Sequence, residues 1–244
     1  MEKDQIKASG GSMEAIPEKK TKGDHILAGI KAAIELVPHV GGAIASLIGD
    51  YVPSSTQRAI IKAFEHLRSR LEQLEQRVST DNLDNDQFAE LFKSCYLVII
   101  RSNHEKKLHA AAELLINILL REGEKEKLPY EELDHFVRCV DSLSRGAIEV
   151  IGVAYEIVKP QIKSNQQTYG YGYRLDFRQI QERVKKVNPM ESSLLMGLIG
   201  ELNSMNLLHI AGIPQVRDRD YASYPIEFTP LGLRFVTYIL RQSS

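Results

Sequence analysis

The chain has 244 residues, of which 43% are hydrophobic and 26% charged, with a formal net charge of −1 and two cysteines, Cys95 and Cys139. These figures fit one large globular domain or two small ones. They exclude a disulfide framework and a molecule drawn to nucleic acid or anionic lipid by its overall charge.

Residues 1–24 mix lysine and acid evenly and carry Ser9-Gly-Gly-Ser12. They lack the apolar centre of a signal peptide and read as a disordered tail. Residues 26–52, ILAGIKAAIELVPHVGGAIASLIGDYV, form the longest weakly charged apolar run. Its length alone suits a membrane span, but Lys31, Glu35, Asp50 and Pro38 interrupt it. Each half falls short of the roughly 20 residues that a span needs. The pattern predicts a helix over 25–37, a stop at Pro38, and a second short helix over 40–51. Gly41, Ala45 and Gly49 lie four apart, so they share one helical face that a second helix can approach closely. Pro38, Gly41 and Gly42 make the Pro-x-x-Gly-Gly break between the two halves.

Helix signals continue from Ser54. A long helix is expected to about Val78, with a seam of Phe64, Leu67, Leu71, Leu74 and Val78 at alternating spacings of three and four. Its polar face, RSRLEQLEQR, reads as solvated. Further helices are expected over 86–102, 104–121, 129–143 and 147–158, with a charged turn at 123–127. Residues 25–145 therefore read as an all-α bundle. The two cysteines read as free thiols in helical cores.

The character changes after Pro160. Residues 161–173 are polar and rich in Gly and Tyr, as a loop would be. Helices over 176–187 and 191–205 follow, then a strand over 207–211, an exposed tip over 212–223, a return strand over 225–229, and a last helix over 231–241. With 147–158 as its first helix, residues 146–244 have the order of a winged helix-turn-helix. The expected fold class is mainly α, a bundle followed by a winged-helix-like domain with a small β-hairpin.

A winged helix commonly binds DNA, yet the third helix here, ESSLLMGLIGELNSMNL, contains Glu191 and Glu201 and no Lys or Arg. Phosphate neutralisation needs basic side chains. The preceding helix supplies them, with Arg178, Arg183, Lys185 and Lys186, and these are the candidate nucleic-acid contacts. A protein contact or self-association is the favoured use of the module. No metal is expected. His104 and His109 are five apart, about 140° around a helix, unlike the i, i+4 pair of a zinc protease. His135 and Cys139 have that i, i+4 spacing but no evident third ligand. No phosphate-binding glycine loop, catalytic motif or cofactor site is legible.

The segment Val37–Pro53 with the helix carrying Arg58 and Phe64, and the ending Phe228-Thr-Pro-Leu-Gly-Leu-Arg-Phe-Val236, resemble the alpha-type abortive-infection family of bacterial proteins. That resemblance implies a non-enzymatic antiphage-defence or toxicity effector. The expected protein is cytoplasmic, peripheral to the inner membrane when its hairpin meets lipid, with a winged-helix part that senses a partner. The alternative is a cytosolic adaptor or DNA-binding regulator whose hairpin is only core.

Overall fold

A computed structural model describes residues 54–74, 76–79, 83–164, 173–211 and 225–240. The expected hairpin over 25–51 and the loop tip over 212–223 lie outside the described residues. The described chain is mainly helical with one small three-stranded antiparallel sheet. Its order is α1 (Ser54–Gln73), α2 (Asn85–Arg101), α3 (Glu105–Leu119), α4 (Tyr130–Ser142), α5 (Arg145–Lys163), β1 (Tyr173–Asp176), α6 (Phe177–Val187), α7 (Ser192–Ser204), β2 (Leu208–Ile210), β3 (Pro225–Phe228) and α8 (Pro230–Arg234). A π-helical segment, Phe235–Leu240, continues α8.

Helix α3 is the axis of the first half. Its sequence from Leu108 to Leu119 has only Glu113 and Asn117 as polar residues after His109, and Ala110 to Leu119 are all buried. A helix that is apolar all round must be covered on every side. Here α1, α2, α4 and the π-helical segment pack against it. The expected seam on α1 meets this axis, with Phe64 and Leu74 buried and Leu67 and Leu71 partly so. Helix α1 ends at Gln73 rather than near Val78. Val78 instead pairs with Leu120 as an isolated antiparallel bridge, held by Ser79 N–H to Leu119 O at 2.9 Å and Arg121 N–H to Arg77 O at 2.9 Å. The bridge ties the end of α1 to the end of α3, so tertiary pairing overrides the local helical pattern.

Two boundaries differ after Ser144. The Ser144 side chain accepts from Ala147 N–H and starts α5, which runs through Pro160 to Lys163 rather than stopping near Val158. Tyr173 opens a strand instead of closing a loop. That strand pairs with β3, Tyr173 against Phe228 and Leu175 against Ile226, and β2 pairs on the other side of β3, Leu208 against Phe228. The sheet order is β1-β3-β2. Asp176 ends β1 and caps α6 through a capping box with Gln179, which explains the abrupt switch from strand to helix.

One hydrophobic cluster runs from Ala59 on α1 to Leu240 in the π-helical segment. Phe136 on α4 meets Phe235 with ring centroids 5.1 Å apart, and Tyr155 on α5 meets Phe228 of β3 edge-on at 6.5 Å. Both cysteines are buried in this core as free thiols. Among the described residues, no helix is long and apolar enough to cross a membrane.

Candidate interaction surface

The segment from Phe228 to Val236 is a clamp. Helix α7 closes with Asn206 in the left-handed region at φ 56°. Leu207 N–H reaches Leu202 O at 2.9 Å and Asn206 N–H reaches Asn203 O at 3.0 Å, the paired bonds of a Schellman turn. Thr229 then caps α8, its Oγ1 accepting from Gly232 N–H at 2.8 Å and donating to Asn206 O at 2.7 Å. Pro230 occupies the first helical turn, where its missing N–H costs nothing. Gly232 lies so close to the chain that a Cβ there would sit 1.9 Å from Leu207 O. Arg234 forks onto Glu132 of α4, Nε to Oε1 at 2.6 Å and Nη2 to Oε2 at 3.1 Å. Thr229 and Gly232 thus join this ending to the α7–β2 junction, and Arg234 and Phe235 join it to α4.

Polar pairs inside the bundle are likewise structural. Glu113, buried in α3, accepts from His66 Nε2 and Arg70 Nε of α1, each at 2.9 Å. Arg70 belongs to the face expected to be solvated, so the sequence reading of that face is corrected there. The ring of His109 stacks on His66 at 4.2 Å. Burial, then the neighbouring His66, hold the His109 imidazole below its ordinary value. His135 contacts Met205 O at 3.2 Å and the Cys139 sulfur at 3.4 Å, linking α4 to the end of α7. Among the described residues, no group of three His, Cys, Asp or Glu side chains is arranged to hold a metal. A cavity of about 690 Å³ opens beside the ends of α3 and α2, lined by Asp84, Gln87, Arg121, Lys127 and Tyr130 among others. Its lysine is already engaged, with Lys127 Nζ donating to Ile118 O at 2.7 Å and Leu120 O at 2.9 Å at the end of α3.

The α6–α7 corner is different. Phe177, Ile180 and Val184 bury one side of α6. Arg178, Arg183, Lys185 and Lys186 all stand exposed, and none makes an ion pair or side-chain hydrogen bond. Glu182 lies on the same helix within four residues of all four cations but is not paired with them. Residues 185–189 are exposed in succession, so the corner projects from the body. Gln181 donates to Ser192 Oγ and fixes the start of α7 against α6. The two exposed large hydrophobic residues of the described chain are both here, Val187 at 73% and Leu194 at 55%.

Helix α7 itself carries no Lys or Arg. Leu195, Leu198, Ile199 and Leu202 face inward. Glu201 Oε2 accepts from Ser144 N–H at 3.0 Å, so this acid serves the start of α5. At Gly197 a Cβ would meet nothing within 4 Å, which marks open surface.

Of the residues singled out from sequence, the four cations of α6 are all exposed, spread along the helix from its first turn to its last. Pro38, Gly41, Gly42, Ala45 and Gly49 lie outside the described residues, as do residues 165–172 of the Gly- and Tyr-rich loop. Val187 and Leu194 were not singled out. Val187 continues the spacing of Phe177, Ile180 and Val184, so periodicity alone assigns it to the core. Compared with known proteins, the chain matches no family model, no curated protein and no solved structure.

Proposed function

We propose that the protein is a non-enzymatic bacterial defence or toxicity effector that works by binding. In this reading the hairpin over 26–52 acts on or docks to the inner membrane. The region from α5 to the C-terminus is a winged-helix module that presents its α6–α7 corner to a binding partner. The winged-helix reading is supported by the order α5-β1-α6-α7-β2-β3 and the sheet order β1-β3-β2. The observation that carries the binding reading is that corner, where exposed, unpaired Arg183, Lys185 and Lys186 lead into exposed Val187, with exposed Leu194 in the first turn of α7.

Release of a trapped dye from vesicles tests the effector reading. Leakage caused by the full chain and lost in Gly41→Leu and Gly49→Leu, with the fold retained, is the expected result. No leakage at any protein concentration contradicts it.

The second reading is a DNA-binding regulator, favoured by the exposed Arg178, Arg183, Lys185 and Lys186 of α6. It requires duplex binding that weakens steeply with salt and that is lost when Arg183, Lys185 and Lys186 are neutralised. The absence of any Lys or Arg on α7 weighs against it, since that helix would enter the major groove.

A further inference from the structure

We infer that the α6–α7 corner is a contact for an anionic phospholipid surface. This rests on reading the corner as the protein's contact surface and names its partner. Three features of the corner bear on the choice of partner. Its cations, Arg183, Lys185 and Lys186, are exposed and unpaired, Val187 follows them at the end of α6 and is 73% exposed, and Leu194 in the first turn of α7 is 55% exposed. It projects, with residues 185–189 exposed in succession. The helix behind it is anchored by Phe177, Ile180 and Val184 in the core.

A lipid surface rewards both chemistries together. Lys and Arg meet the phosphate headgroups, and Val and Leu enter the headgroup–acyl boundary. Nucleic acid rewards only the cations and leaves Val187 and Leu194 in water. A protein partner of standard size covers roughly 800 Å² per side, usually around a packed apolar centre, and two side chains on a projecting turn offer far less. Glu182 and Glu191 are also exposed at this corner and oppose binding. The local balance of three cations against two acids makes the contact weak and dependent on anionic lipid and on low salt.

Co-sedimentation of the full chain with vesicles tests the inference. One set is neutral phosphatidylcholine; the other contains phosphatidylcholine with a third of phosphatidylglycerol. Binding is expected to the anionic vesicles and not to the neutral ones. Removing one lysine charge, as in Lys186→Gln, is expected to weaken it about five-fold. Val187→Asp with Leu194→Asp is expected to weaken it by about ten-fold or more, at an unchanged melting temperature because both sites are exposed.

Binding that survives in Val187→Asp/Leu194→Asp and is lost only in Gly41→Leu/Gly49→Leu overturns the inference while leaving the hairpin reading intact. Equal binding to neutral vesicles overturns it. Binding to duplex DNA through Lys185 and Lys186, without vesicle binding, overturns it in favour of nucleic acid. Self-association abolished by Val187→Asp/Leu194→Asp, without vesicle binding, assigns the corner to a second copy of the chain instead.

Discussion

Gly232→Ala is expected to be among the most damaging single-methyl additions in the molecule. The added Cβ would stand 1.9 Å from Leu207 O, 2.7 Å from Leu207 C and 3.1 Å from its Cα. These are backbone atoms, and they are pinned. Leu207 O accepts from Thr229 N–H at 3.3 Å and from Thr229 Oγ1 at 3.1 Å, while Leu207 N–H holds the Schellman turn. Relief therefore requires the α7–β2 junction and α8 to move apart. Overpacking a filled site costs about 1–3 kcal/mol, and loosening the Thr229 bonds adds about 1 kcal/mol each. The helix preference of Ala over Gly returns at most about 1 kcal/mol. The net expectation is a loss of about 2–4 kcal/mol, a large share of the roughly 5–15 kcal/mol that holds a domain together. Gly197→Ala is the control, because its Cβ meets nothing within 4 Å inside α7. It is expected to gain about 0.5–1 kcal/mol. Urea unfolding followed by helical circular dichroism measures both. Equal effects of the two substitutions, or a stable Gly232→Ala, would refute the close-approach argument.

Further expectations concern the bundle. Glu113→Ala strips the buried acceptor from His66 and Arg70 and is expected to cost about 2–4 kcal/mol in the same urea assay, with Glu113→Gln intermediate because one acceptor oxygen remains. His109 and His104 both lie below their ordinary value, chiefly through burial. The unfolded chain therefore takes up these protons first as pH falls, and stability is lost below about pH 6.5. A urea midpoint that falls between pH 7.5 and 5.5, with a shallower fall in His109→Gln, is expected; a midpoint that rises on acidification contradicts it. Burial pushes the Cys139 thiol up to about 12 and raises that of Cys95 as well. Neither is expected to react with a disulfide reagent at pH 8 until the protein is unfolded. Asn206→Gly is expected to stabilise by about 0.5–1 kcal/mol and Asn206→Val to destabilise, because the position is left-handed.

Much of the helical order was legible because its signals are local. Capping residues Asp84, Ser144, Asp176 and Thr229 sit at helix starts, and apolar residues repeat at three and four. What the sequence hid is non-local. Strand β1 exists because Tyr173 and Leu175 are buried against β3, some fifty residues later. Helix α1 ends early because Val78 pairs with Leu120. Arg70 looks like a surface cation until Glu113 of α3 meets it.

The candidate surface was half legible. The cations of α6 stand out in the sequence, whereas the exposure of Val187 contradicts its own periodicity and appears only in three dimensions. The segment Thr229–Phe235 has a physical role in joining α7, α8 and α4.

The most direct test uses the inertness of the native thiols. An environment-sensitive fluorophore attached to Leu194→Cys labels one site, since Cys95 and Cys139 are buried. On addition of vesicles containing a third of phosphatidylglycerol, a blue shift and intensity rise are expected, absent with neutral vesicles and reversed by salt. A probe that reports water in every case contradicts the account of the α6–α7 corner as a lipid contact.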